Sequence, residues 1–227
     1  MDRPLEQAET TEAAALPRVL LLVVGIVLIA GSTALGVWVY AHGEPPFAMD
    51  VWWNTFLAQS ASPFLLGVSE VMDWLGGGWI GVFAVPGVVA ILLVVARRPW
   101  GAVYFVIASL ASAVVVQWMK QTVGRARPED VIVTTDVGSY PSGHVANAAT
   151  IAVALAIIFP RVWVWIVGAA YVLLMAFSRT YLHAHWLSDT IGGAAIGAGV
   201  SFTIAAAFAV ALAREPRPRL ARAEPTG

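Results

Sequence analysis

The chain has 227 residues, 59% of them hydrophobic and 12% charged, with a mean hydropathy of +0.77; soluble domains carry about a quarter charged residues, so this is the composition of a membrane protein. A formal net charge of -1, with no basic stripe outside short loops, excludes a nucleic-acid-binding surface. With no cysteine in the sequence, disulfide and thiolate chemistry are excluded as well.

A hydrocarbon core takes about 20 residues of helix to cross, and backbone in lipid has to satisfy its own hydrogen bonds, so helices are the expected element. Residues 1–17 carry Asp2, Glu6, Glu9 and Glu12 against Arg3 and read as a disordered N-terminus. The apolar run that follows is too long for a signal-peptide core and reads as a retained first span over 18–41. Residues 44–77 interleave Trp, Phe and Leu with Asp50, Glu70 and Asp73, as short helices lying in the membrane interface would, with a seventh span as the alternative. Further spans are predicted at 78–96, 100–120, 144–159, 162–178 and 187–213.

Tryptophans 38, 52, 53, 74, 79, 100, 118, 163 and 186 fall near the predicted span ends, where amphipathic rings anchor at headgroup level. The run IGGAAIGAG, 191–199, lines up small residues for close helix packing. Residues 214–227 are polar and Pro-rich and read as a disordered tail. The expected fold is therefore an all-α integral membrane bundle of six transmembrane helices, a single domain over 18–213, with short interfacial helices between the first two spans.

Six spans put both termini on one side, together with Arg3, Arg18, Arg97, Arg98, Arg161, Arg214, Arg217, Arg219 and Arg222. The positive-inside rule makes that side cytoplasmic. The opposite side holds only Lys120, Arg125, Arg127 and Arg179, in the two loops that also carry three of the four histidines.

Lys120 is the only lysine. It and Arg127 are seven residues apart, so a third helix continued about two turns past the membrane would project both from one face, with Pro128 as its stop. Two cations aimed together suggest an anionic ligand; taken alone they also suit basic anchors at the headgroups. In YPSGHVANAAT, 140–150, Ser142 stands at a helix start where the amides of Gly143 and His144 join the positive end of the macrodipole, an arrangement that binds phosphate or merely caps a helix. In SRTYLHAHWLSDTIGG, 178–193, His185 and Asp189 share a helix face, so the carboxylate can accept from one ring nitrogen and leave the other free to attack. Arg179 adds a forked donor. Charges at mid-span cost about 2.5–3.5 kcal/mol each on insertion scales, so their joint presence beside predicted spans argues for function.

Together, Lys120 with Arg127-Pro128, Pro141-Ser142-Gly143-His144, and Ser178-Arg179 with His185 and Asp189 resemble the three-part signature of the type-2 phosphatidic acid phosphatase superfamily, matched at every signature position. The resemblance extends over roughly residues 75–205. It implies a helical bundle that removes phosphate from lipid phosphates or diphosphates without a metal or other cofactor. It further implies His185 as a nucleophile forming a phosphohistidine, Asp189 orienting it, and His144 as acid and then base. Lys120, Arg127, Ser142, Gly143 and Arg179 would hold the phosphoryl oxygens. His-Ala-His at 183–185 raises a metal site, but no third strong ligand is evident. His42 has no partner in the sequence pattern.

The partner expected is therefore a lipid phosphate or diphosphate among membrane lipids; polyprenyl diphosphate, phosphatidylglycerol phosphate and phosphatidic acid remain open, with a slight lean to the first. Small size and the Arg-over-Lys bias point to a bacterial plasma membrane, with the active site on the outer side. The rival classes are a lipid head-group phosphotransferase, a haloperoxidase with a similar signature, and a non-catalytic membrane scaffold or transporter.

Overall fold

The computed structural model describes residues 3–43 and 45–215, and among them every regular element is helical. The helices are α1 Arg3–Ala41, α2 Ala48–Ala58, α3 Pro63–Gly76, α4 Val85–Val95, α5 Pro99–Val123, α6 Gly143–Ile158, α7 Val162–Tyr181 and α8 Leu187–Ala213. Helical backbone thus covers residues 3–17, where disorder was expected. Of the expected disordered tail, Arg214 caps α8 and Glu215 is buried, while 216–227 lie outside the described residues.

Among the described residues four helices are long and apolar enough to cross a membrane: Arg18–Ala41 within α1, then α5, α7 and α8. The protein is a multi-pass membrane protein. The other two expected spans take a different form. α6 is apolar but has only 16 residues, short of the roughly 20 that a full crossing needs. In place of one span at 78–96, α3 and Ile80–Val95 form a pair bent by 57°, one broken span or a re-entrant loop, so α3 is the first arm of that pair.

The sequence explains the break. Gly76, Gly77 and Gly78 interrupt the helix, and Gly78 takes a φ of +55° that a β-carbon disfavours. Beyond them Pro86 lacks an N–H and crowds the preceding turn, which here widens into a π-helical turn, Ile80–Ala84. Asn147 Nδ2 donates to the Gly81 carbonyl at 2.8 Å and satisfies backbone within that turn.

α8 is the axis of the bundle and packs on α1, α5, α6 and α7. The 191–199 run makes this possible: a β-carbon at Gly197 would collide with the Ala146 carbonyl of α6, and one at Gly199 would lie 2.8 Å from Ile29 of α1. Hydrogen bonds between helices, Thr150 Oγ1 to Ser112 Oγ at 3.0 Å and Tyr104 OH to the Ser201 carbonyl at 3.1 Å, pair polar groups inside the bundle. At one end of the bundle Arg98 pairs with Glu215 at 3.7 Å, and Glu215 Oε1 accepts from the amides of Trp100 and Gly101, clipping the end of α8 to the start of α5. The other end holds the histidines with Lys120, Arg125, Arg127 and Arg179.

Candidate active site

α5 stops earlier than its polarity pattern suggests. Gly124 takes the left-handed conformation, φ +66°, and its N–H closes on the Lys120 carbonyl at 3.0 Å. Arg127 is therefore not on the same helical face as Lys120. The loop from Gly124 instead folds back over the helix end, and the two cations meet at shared acceptors: Asp136 Oδ1 lies 3.1 Å from Lys120 Nζ and 2.6 Å from Arg127 Nη2, and the Gly138 carbonyl 3.0 and 2.9 Å from them.

The start of α6 joins this loop to α8, because the Ser142 amide donates to the Asp189 carbonyl at 3.0 Å. Ser142 Oγ does not cap the helix; it is buried with no partner. A β-carbon at Gly143 would lie 3.8 Å from Lys120 Cε, so the first turn of α6, with its free amides, faces the lysine. Arg179, buried at the end of α7, pairs through Nη1 with Asp73 Oδ1. His144 Nε2 is 3.1 Å from both the Asp73 carbonyl and its carboxylate.

His185 sits on the short link before α8. Its Nε2 is 3.3 Å from Arg127 Nη1. A guanidinium can only donate, so Nε2 is the acceptor and the ring proton is on Nδ1. Nδ1 lies 3.7 Å from Asp189 Oδ2, beyond hydrogen-bonding distance, and has no other partner. The expected His185–Asp189 bond is thus aligned but unclosed. Asp189 is held elsewhere: Oδ2 accepts from the Trp186 amide at 2.9 Å and Oδ1 from Arg125 Nη1 at 2.5 Å. Burial, then the nearby cations Arg179, Lys120 and Arg127, push the His185 imidazole well below its ordinary pKa. Burial alone would raise the Asp136 carboxyl, but Lys120 and Arg127 hold it below its ordinary value.

Sequence reasoning named Asp189 but missed the other acids of this site. Asp73 and Asp136 complete it, and Arg125, fully buried, bridges Asp189 to Asp50 of α2 at 2.9 Å. Ser188 supports the same node, its amide donating to Asp50 Oδ1 at 2.8 Å and its hydroxyl to Oδ2 at 2.7 Å. A signal was available: residues 42–77 contain acids but no Lys or Arg, so any buried acid there needs a cation from another segment. His183 bonds Asn54 Oδ1 at 2.6 Å and approaches Asp130 at 3.1 Å, tying α2 to the loop. His42 donates to the Trp38 carbonyl and stacks on that ring. Two expected anchors turn inward: Trp53 Nε1 donates to Thr180 and Trp186 Nε1 to the Ala126 carbonyl.

Lys120, Gly143, His144, Arg179 and His185 line one cavity of about 580 Å³, which continues down between α4 and α5 over the floor of α6. Its rim there is apolar and open to the exterior of the bundle, with Val82, Phe83, Val106 and Leu110 all exposed. Gly77 admits the His144 ring at the cavity wall, since a β-carbon there would collide with it.

Residues 101–213 match the model of the PAP2 superfamily. Undecaprenyl-diphosphatase of Sulfolobus acidocaldarius is 32% identical over 122 residues, covering 51% of this chain and 59% of that protein. Lipid A 1-phosphatase of Rhizobium johnstonii is 30% identical over 124 residues, covering 48% and 49% respectively. The matches thus span about half the length of these curated relatives. The crystal structure of a transmembrane PAP2 type phosphatidylglycerolphosphate phosphatase from Bacillus subtilis shares the fold, with a TM-score of 0.68 over 79% of this chain and 93% of that one at 20% identity. The segment that carries the cations and both site histidines, residues 101–213, belongs to the PAP2 superfamily.

Proposed function

We propose that the protein is an integral-membrane lipid phosphatase that removes the terminal phosphate of a lipid phosphate or diphosphate through a phosphohistidine on His185, without a metal. The observation that carries this reading is the His185 ring: neutral, with its Nε2 lone pair beside Arg127, in a cavity shared with Lys120, His144 and Arg179.

His185 Nε2 attacks phosphorus while the bond to the lipid oxygen breaks, and His144 gives that oxygen a proton. His144 then takes a proton from water as the water oxygen displaces Nε2 and free phosphate leaves. Lys120, Arg127, Arg179, Ser142 and the Gly143 amide stabilise charge on the equatorial oxygens, which is most of what phosphoryl transfer requires. Asp189 steadies the imidazolium-like ring; its 3.7 Å gap closes as charge develops on Nδ1, since catalytic hydrogen bonds are commonly long before substrate binds.

The four long spans and the bent pair make five crossings, and we take the shorter α6 as a sixth; an even number puts both termini on one side of a bacterial plasma membrane, and the arginine distribution favours that side as cytoplasmic and the site as outer. The substrate chain enters through the exposed apolar rim between α4 and α5. The named relatives act on three different lipid phosphates, and the polyprenyl diphosphate is favoured because an outward-facing site suits carrier recycling.

The test is phosphate release from purified polyprenyl diphosphate, phosphatidylglycerol phosphate and phosphatidic acid, in chelator, with His185→Ala as control. Release by wild type and none by the variant is expected; release surviving in the variant overturns the nucleophile. Product analysis with added lipid alcohols separates hydrolysis from head-group transfer.

A further inference from the structure

We infer that Asp136 is a built-in competitor for the phosphoryl site, one that lets a terminal phosphate in and keeps singly charged phosphodiester headgroups out. The inference rests on the phosphatase reading for the identity of the pocket and adds to it a reason for the pocket's selectivity.

The cations and the acid that joins them are unequally fixed. Lys120 and Arg127 have side chains only 4% and 10% exposed, whereas the Asp136 side chain is 58% exposed. The backbone of the Asp136 loop is pinned: Gly138 has a φ of +73°, and a β-carbon there would lie 2.8 Å from the Lys120 carbonyl. The Ser139 amide also donates to the Arg125 carbonyl at 2.8 Å. The carboxylate can therefore rotate out toward solvent while the loop stays in place, with the Gly138 carbonyl still accepting from both cations and the Asp136 carbonyl from Arg127 at 3.1 Å. Asp136 lines the same cavity as His144, Arg179 and His185, so the position its Oδ1 occupies between Lys120 and Arg127 is one that a phosphoryl oxygen would need.

Charge decides which ligand wins that exchange. A phosphodiester brings one negative charge and two free oxygens, no more than the carboxylate it would displace. A terminal phosphate brings about two charges and three free oxygens, and gains from Arg179 and the Gly143 amide as well. In a bilayer the phosphodiester lipids far outnumber any phosphomonoester, so an unguarded cation pocket would be filled by them. The apparent affinity of every ligand is reduced by the fraction of sites that Asp136 occupies, so a singly charged headgroup, weakly held to begin with, falls below useful binding while the terminal phosphate, held by more contacts, stays above it.

Full-length protein in neutral detergent micelles tests this with two probes, inorganic phosphate and a short-chain phosphatidylglycerol, on wild type, Asp136→Asn and Asp136→Glu. Asp136→Asn should bind the phosphatidylglycerol about tenfold or more tightly than wild type, the factor expected for losing one charge-assisted contact. It should also become inhibited by that lipid during turnover. Asp136→Glu, which keeps the charge, should bind the phosphatidylglycerol as weakly as wild type does. If Asp136 only braced the two cations, Asp136→Asn would bind inorganic phosphate more weakly and gain nothing on phosphatidylglycerol, and that result overturns the inference. Wild-type turnover of a lipid phosphate beside such a result leaves the phosphatase reading intact; no turnover by wild type, with the gain in Asp136→Asn present, overturns that reading and keeps the anion selection.

Discussion

Lys120 is the only lysine in the chain and one of its most buried charges. Its ammonium reaches Asp136 and Gly138 with the first turn of α6 close against its stem, so the space suits a slim point charge and not a flat fork. Lys120→Arg should lower kcat/KM for lipid phosphate at least about tenfold, the cost of one charge-assisted hydrogen bond, with expression unchanged. His185 predicts a second measurement. Because burial and the surrounding cations lower its pKa, the ring is neutral at pH 7 and loses its lone pair only when the pH falls through that lowered value. The acid limb of a kcat/KM profile should thus lie below pH 6.5, and Arg127→Gln should move it upward. At this scale the signature was legible, because His185, His144, Arg179 and Lys120 have to be polar where the chain is apolar. The acids that pair with them were harder to see: Asp73 lies on a helix that reads as interfacial, where an acid passes for solvated, and Asp136 in a segment whose polarity looks like ordinary loop.

At the scale of elements, punctuation decided the outcome. Pro128 looked like the end of α5, but Gly124 ended it first, and the loop that this freed brought Arg127 back to Lys120 by a different route. The four long spans were readable from apolar length; the short α6 and the bend between α3 and α4 were not, the bend because it depends on three glycines and Pro86 acting together next to His144. The link between α2 and α8 depends on Arg125, which lies between Asp50 and Asp189 with all three side chains wholly buried. Arg125→Met would leave two buried carboxylates without their cation, and loss of one partner of a buried pair costs about 3–5 kcal/mol. A lower midpoint of thermal unfolding in detergent, with α2 becoming accessible to protease, is the expected result; an unchanged midpoint would show that the node carries no stability.

For the whole molecule, the distribution of charge between the two ends of the bundle was the clearest message in the sequence, and the fold keeps it: Arg98 and Glu215 close one end, while Lys120, Arg125, Arg127 and Arg179 gather at the other. The sequence contains no cysteine, which makes sidedness directly measurable. A single cysteine replacing exposed Ile132 should react with an impermeant maleimide on intact cells, and one replacing exposed Arg161 only after the membrane is opened. The reverse pattern would invert the proposed topology.

The cavity's open flank between α4 and α5 has a kinetic corollary. Substrate that arrives by diffusing within the leaflet is encountered in two dimensions, so saturation should follow its mole fraction among the surrounding lipids and not its molarity in the suspension. Diluting the donor with inert lipid would slow the enzyme; diluting the vesicles with buffer would leave each enzyme's turnover unchanged.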